Sequence, residues 1–260
     1  VSEFSVCVII PAAGRGERFG GEKVSQEICG RPMLLRTVEI FTRRPEVSSV
    51  IVAAPPDGMD AFVSRFGAQL GFHGVKVVPG GRVERWETVS LALGHVPEGA
   101  THVAVHDAAR PCASDELVSR VFNAARVAPA VIPGEPVRAT LKRVSATQVA
   151  AAADDAIADA ILGDAGREAA QGRIVEETIS RERVVAVQTP QVFEVSLLKR
   201  AYAQPDLAGV TDDAMLVERL GEPVMVVDGE VRNIKVTTRE DLLVARAFAS
   251  MATSAAPRQW

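Results

Sequence analysis

Short runs of β-branched and other apolar residues recur along this chain, and a stretch with helical periodicity separates each run from the next. That alternation restricts the fold more than any other feature. Parallel strands need a long crossover between them, and a helix supplies it. The runs fall at 6–10, 50–54, 75–78, 102–106, 129–132, 184–188 and 224–227. The helical stretches fall at 32–44, 60–71, 85–93, 115–127, 196–204, 212–220 and 239–250. Thr238 is placed to cap the last of these, with Glu240 and Asp241 in its first turn. The expected fold class is therefore α/β and Rossmann-like, a mainly parallel twisted sheet with helices on both faces. At 260 residues, 47% hydrophobic and 24% charged, the chain suits one such domain, expected over 1–252, with a disordered tail over 253–260.

Charge narrows the partners. A net charge of −4 does not fit a general nucleic-acid binder, so an anionic ligand has to be met by a local basic cluster. No apolar run approaches the length of a membrane span, and neither a membrane nor nucleic acid is expected as a partner. The first residues, VSEFSVCVIIP, carry no basic region and too short an apolar run for a signal peptide. Cys7, Cys29 and Cys112 form no CxxC pair and no zinc spacing, so reduced thiols in a cytoplasmic protein are expected.

One segment breaks the rhythm. Residues 145–172, SATQVAAAADDAIADAILGDAGREAAQG, are rich in alanine and poor in large side chains. Ser145 with Gln148 makes a capping box, and Ile157 with Ile161 a thin apolar stripe, which predicts an acidic, partly exposed helix from Ser145 to about Leu162. A disordered linker fits the same low complexity.

Three polar tracts sit where strands end. Residues 11–23 read PAAGRGERFGGEK, and small residues there let backbone N–H groups close around phosphate oxygens while Arg15, Arg18 and Lys23 add charge. The dinucleotide fingerprint would need glycine at Phe19, and the Walker A pattern would need Lys-Ser/Thr after Gly21. A glycine turn with solvated charges fits the composition equally. Residues 105–111, VHDAARP, put Asp107 and Arg110 at a strand end, where a carboxylate can meet Mg²⁺ or a ribose and an arginine a phosphate. A turn ion pair would look the same. The last tract comprises QTPQ (188–191), TDD (211–213) and NIKVT (233–237). Asp212 also suits a helix N-terminus, Lys235 an edge strand and Cys112 a packing role.

In their order, PAAGxGxR, the following lysine, the Gly80–Val89 stretch, VHDAARP, QTPQ, TDDA and NIKVTT resemble the 2-C-methyl-D-erythritol 4-phosphate cytidylyltransferases of the non-mevalonate isoprenoid pathway. The resemblance implies transfer of a cytidylyl group from CTP to a small polyol phosphate, with Mg²⁺ required. It implies catalytic roles for Arg18, Lys23 and Lys235. It implies CTP contacts at Ala12, Ala13, Gly14, Gly16, Gly80, Gly81, Arg85, Thr88, Asp107 and Ala108, with Asp107 also beside the metal. It implies substrate contacts at Arg110, Thr140, Arg181, Thr189 and Asp212. It further implies a homodimer through an extended arm at about 136–182, which here carries the Ala-rich insertion. A ribitol 5-phosphate cytidylyltransferase is the nearest alternative. A dinucleotide-dependent oxidoreductase and a non-catalytic nucleotide-binding module are the alternatives from other classes.

Overall fold

The computed structural model describes residues 3–14, 19, 23–150 and 171–255. The chain divides into two compact units, one of Val1–Glu135 with Val187–Trp260 and one of Pro136–Ala186, where the sequence predicts a single domain with an arm.

In chain order the elements are β1 (Val6–Pro11), β2 (Glu27–Ile28), β3 (Arg31–Pro32), α1 (Met33–Thr42), β4 (Val47–Ala54), α2 (Met59–Phe72), β5 (Lys76–Pro79) and α3 (Arg85–Leu93). They continue with β6 (His102–Val105), α4 (Asp115–Ala125), β7 (Ala130–Pro136), β8 (Leu141–Val144), β9 (Val149–Ala150), β10 (Gln171–Gly172) and β11 (Val175–Ile179). The last are β12 (Val185–Val187), β13 (Gln191–Glu194), α5 (Val195–Tyr202), α6 (Asp213–Arg219), β14 (Met225–Asp228) and α7 (Arg239–Ala255).

The sheet of the first unit runs β7-β13-β6-β1-β4-β5, with β14 added to β7. Strand β1 pairs in parallel with β4 on one side and β6 on the other, so Ile9 lies between Ile51 and Val105. Strand order reverses at that point, which opens a crevice at the carboxyl ends of β1 and β6. Of these strands, β13 pairs antiparallel with both β6 and β7.

Both faces of the sheet are covered because β1 is apolar throughout and fully buried over Val6–Ile10. Val6, Val8 and Ile10 face one way, onto Leu34, Leu35, Val38 and Phe41 of α1 and Leu117, Val121 and Phe122 of α4. Cys7 and Ile9 face the other way, onto Val89 and Leu93 of α3, Leu197 and Leu198 of α5 and Leu216 of α6. A smaller cluster joins Phe19, Ile28, Met33, Cys112 and Val236 to Leu242 and Ala245 of α7. Burial raises the Cys112 thiol pKa, as suits a packing thiol. The start of α7 is capped as expected. Asp241 N donates to Thr238 Oγ1 at 3.2 Å, and Thr238 N donates back to Asp241 Oδ2 at 2.8 Å. That helix runs on to Ala255, past the expected tail boundary at 253, and 256–260 lie outside the described residues.

In the second unit, β8 and β11 pair antiparallel with Leu141 opposite Ile179, and β9 and β10 pair with Ala150 opposite Gln171. The helix expected from Ser145 does not start there. Ser145 Oγ donates to Thr147 O at 2.8 Å and accepts from Ile174 N at 3.1 Å, and Val149–Ala150 is already strand. The returning chain satisfies the groups a capping box would have used. The Ala-rich segment leaves at Ala150 and re-enters opposite it at Gln171. Its residues 151–170, including the Ile157 and Ile161 stripe, lie outside the described residues.

Candidate active site

A cavity of about 590 Å³ occupies the crevice. The segment after β1 supplies Ala12, Ala13, Gly14 and Lys23. The turn into α3 supplies Gly81, Arg85 and Thr88, the end of β6 supplies Asp107 and Ala108, and the segment before α7 supplies Lys235.

The wall formed by the turn into α3 depends on two glycines. Gly80 N donates to Ala54 O at 2.8 Å, which draws the turn against β4. A Cβ on Gly80 would stand 2.7 Å from Ala13 Cβ and 2.9 Å from Thr88 Cγ2. A Cβ on Gly81 would overlap Glu87 Cβ and lie 3.0 Å from Thr88 N. With no side chain there, Gly81 N reaches Thr88 Oγ1 at 3.0 Å. The Glu87 carboxylate accepts from Val83 N at 3.1 Å and Glu84 N at 3.2 Å, closing the first turn of α3. Arg85 and Thr88 are thereby held on the cavity side.

Asp107 is the electrostatic centre. Its Oδ1 faces Arg85 Nε at 3.4 Å, and its Oδ2 faces Lys235 Nζ at 3.0 Å and Arg110 Nε at 3.3 Å. Burial by itself would push this carboxyl's pKa up, but Arg85, Lys235 and Arg110 hold it well below the usual carboxylate range. Behind it lies a buried relay. Thr189 Oγ1 accepts from Asp107 N at 3.0 Å and sits 3.1 Å from His106 Nδ1. His106 Nε2 lies 3.1 Å from Arg110 O. We assign Nε2–H as donor to that carbonyl, so that Nδ1 accepts the Thr189 hydroxyl proton. Burial pushes the imidazole down to about 4, so it is neutral at pH 7. Arg110 is fixed further by Asn233 O at 2.7 Å, and Asn233 Nδ2 donates to Gln188 Oε1 at 3.1 Å and Thr189 O at 2.8 Å.

Arg85 reaches a second acid. Its Nη1 donates to Asp213 Oδ2 at 2.8 Å, and the Tyr202 hydroxyl donates to Asp213 Oδ1. Burial works against the Arg85 charge, but Asp213 and Asp107 more than offset it and raise its pKa. Burial, with Asp213 adding to it, raises the Tyr202 phenol, which stays protonated.

The expected site residues that the structure describes separate into four groups. Ala12, Ala13, Gly14, Lys23, Gly81, Arg85, Thr88, Asp107, Ala108 and Lys235 line the one cavity. Gly80, Arg110 and Thr189 lie behind its wall, with the Thr189 hydroxyl engaged by Asp107 and His106. Asp212 caps α6, accepting from Met215 N at 3.1 Å and Gln191 Nε2 at 2.8 Å. Thr140 and Arg181 belong to the second unit and are exposed there, with Arg181 donating to Arg138 O. Arg15, Gly16 and Arg18 lie outside the described residues. Sequence reasoning missed Asp213 and Tyr202. It read TDD for its helix cap and stopped at Asp212, and nothing local marks the next aspartate as the buried partner of an arginine.

These residues do not fit a protein-built metal cage. Both Asp107 oxygens already face cations, and a divalent ion would have to displace them. Among the described residues no group of three His, Cys, Asp or Glu could hold a metal.

Comparison with known proteins gives a consistent set of likenesses. The family model described as IspD, 2-C-methyl-D-erythritol 4-phosphate cytidylyltransferase, matches residues 6–158 and 147–251. A protein of that description from Frankia casuarinae is 42% identical over 246 residues, covering 94% of this chain and 80% of the relative. One from Streptomyces avermitilis is 38% identical, covering 92% of this chain and 89% of the relative. A crystal structure from Anaerococcus prevotii, described as 4-diphosphocytidyl-2C-methyl-D-erythritol synthase, is similar with a TM-score of 0.72 at 29% identity, covering 95% of this chain and 98% of that one. A 2-C-methyl-D-erythritol 4-phosphate cytidylyltransferase from Thermus thermophilus is similar with a TM-score of 0.67 at 30% identity, covering 94% and 98%.

Proposed function

The chain belongs to the 2-C-methyl-D-erythritol 4-phosphate cytidylyltransferase family, and from that premise we propose how its own residues carry the reaction. It transfers the cytidylyl group of CTP to 2-C-methyl-D-erythritol 4-phosphate, giving 4-diphosphocytidyl-2-C-methyl-D-erythritol and pyrophosphate. The observation that carries the mechanism is the cationic cluster around Asp107 at the strand-order reversal, on the wall of a nucleotide-sized cavity.

An oxygen of the substrate phosphate attacks the α-phosphorus of CTP in line, and the bond from that phosphorus to the bridging oxygen breaks, releasing pyrophosphate. A phosphate nucleophile is already ionised at neutral pH, so no general base is needed. Catalysis is then positioning and charge neutralisation. The backbone of Ala12 to Gly14 cradles the triphosphate. Lys23 and Lys235, joined by Arg18, stabilise the charge that grows on the α-phosphate. Gly80, Gly81, Arg85 and Thr88 form the cytosine side, where two glycines leave room for a flat base. Asp107 and Ala108 meet the ribose, and Asp107 holds Lys235 in place.

Mg²⁺ accompanies the triphosphate in this scheme instead of residing in a protein cage. Arg110, Thr189 and Asp212 shape the methylerythritol phosphate side, the last two through Asp107 and α6. Thr140 and Arg181 complete that side from a partner subunit's arm in a homodimer. Among the described residues no helix is long and apolar enough to cross a membrane. We place the enzyme in the cytoplasm, where a nucleoside triphosphate donor is supplied.

Pyrophosphate release tests this directly. With CTP and Mg²⁺, release is expected with 2-C-methyl-D-erythritol 4-phosphate, and much less with ribitol 5-phosphate or with UTP or ATP as donor. Faster release with ribitol 5-phosphate would overturn the substrate, and none with any polyol phosphate would overturn the reaction.

A further inference from the structure

We propose that Asp213 is a positioning residue for the transfer reaction, setting the Arg85 guanidinium at the wall of the nucleotide cavity while Tyr202 fixes the carboxylate itself. This rests on the nucleotidyl-transfer reading above and adds to it a residue that does not line the cavity. The Asp213 side chain has no solvent exposure, and a carboxylate buried that completely persists only with matched partners. It has two. Arg85 Nη1 lies 2.8 Å from one oxygen and the Tyr202 hydroxyl donates to the other.

Helix capping does not explain the residue. Asp212 already accepts from Met215 N, and Gln191 Oε1 already accepts from Ala214 N at 3.1 Å, so the first N–H groups of α6 are supplied. What Asp213 does hold is the far end of an arginine whose near end, Nε, faces Asp107 at 3.4 Å. Arg85 therefore bridges a carboxylate locked in the core and a carboxylate on the cavity wall. The shorter contact is to the locked one.

Without the charge on Asp213, Arg85 is drawn wholly onto Asp107. Asp107 then shares itself differently among Arg85, Arg110 and Lys235, and the cavity wall loses its shape. The consequence falls on nucleotide binding, because Arg85 and Thr88 belong to the same first turns of α3.

The test is a double-mutant cycle read in CTP kinetics, with melting temperature followed for every variant. Asp213→Asn keeps the shape and removes the charge. It is expected to raise the CTP KM about tenfold, the scale of one hydrogen bond to a charged group, with a smaller change in kcat. Arg85→Gln is expected to raise KM at least as much. In the Arg85→Gln background, Asp213→Asn should add little. If it multiplies KM by the same factor in both backgrounds, Asp213 does not act through Arg85 and the proposal fails. Should Asp213→Asn not fold, Tyr202→Phe carries the same test with the carboxylate retained. A rise of a few fold is expected in the wild type and none beside Arg85→Gln, and equal effects in both would again overturn the proposal. Unchanged CTP kinetics in Arg85→Gln alone would overturn the reading of the cavity, and this proposal with it.

Discussion

His106 is fully buried between the Thr189 hydroxyl and the Arg110 carbonyl, and it stays neutral because burial pushes its pKa down to about 4. An unfolded histidine titrates near 6.5, so between about pH 6.5 and 4 the unfolded chain takes up a proton that the folded one refuses. The contribution is fully present above about pH 6.5 and is lost as pH falls towards 4, about 3 kcal/mol across the window. Burial lowers the His102 pKa too, so the wild-type slope has more than one source. The difference between wild type and His106→Gln isolates this residue. Wild type is expected to lose more melting temperature than the variant between pH 7 and pH 5, and equal losses would mean that His106 is not buried neutral. The Asp107 contribution lies in a separate window. Its folded pKa is depressed, so that stability is present above the ordinary carboxylate pKa and is lost only at more acidic pH. Individual side chains were legible in the sequence where a strand end exposed them. Asp107 and Lys235 stood out because charged groups there follow apolar runs, whereas Arg85 came only with the family resemblance. Asp213 did not, because its meaning depends on an arginine 128 positions away that only the folded chain brings near.

The turn from β5 into α3 is the element on which the nucleotide wall depends. Gly81→Ala is expected to displace the first turn of α3, since the new methyl would overlap Glu87 and press on Thr88 N. A cost of about 1–3 kcal/mol follows from such overpacking, together with a raised CTP KM. Gly14→Ala is the control, because among the described residues a Cβ there meets nothing within 4 Å and stability should not change. Equal melting temperatures for Gly81→Ala and wild type would show that the turn yields freely. The central parallel strands could be read from sequence because residues 6–10 of β1 and 50–54 of β4 are buried and read as unbroken apolar runs. β13 could not. Only Gln191–Glu194 forms it, the segment follows directly on the polar QTP tract, and its identity comes from fitting antiparallel between β6 and β7. The start of the Ala-rich segment misled for a related reason. Ser145 and Gln148 carry a helix-start signature, but the partner strand at 171–172 competes for the same backbone.

At the scale of the whole molecule, no hydrophobic side chain among the described residues of the unit Pro136–Ala186 is buried. Its β8–β11 ribbon leaves Val144, Ile174 and Val175 exposed, the last two at 58% and 52%. A two-stranded ribbon is marginal alone in water, and its ion pairs, such as Arg143 with Glu177, are solvent-exposed and contribute little. A second copy of the chain, related by a two-fold axis, would cover these residues and use the arm reciprocally. The arm's geometry permits this. The Ala-rich segment leaves and re-enters at paired residues, Ala150 and Gln171, so Leu141 and Ile179 remain opposite one another and keep Thr140 and Arg181 at the same end of the ribbon. Mixing two inactive variants decides whether the arm serves a partner. Lys23→Ala damages the phosphate side of the cavity and Arg181→Ala damages the arm. In a dimer of one of each, one site collects both defects while the other joins an intact cavity to an intact arm. Re-equilibrated mixtures are expected to regain up to about a quarter of wild-type activity, since half of the dimers are mixed under random exchange and one site in each is whole. No recovery, with mixed dimers confirmed by native mass spectrometry, would mean that Arg181 serves its own subunit or no site at all.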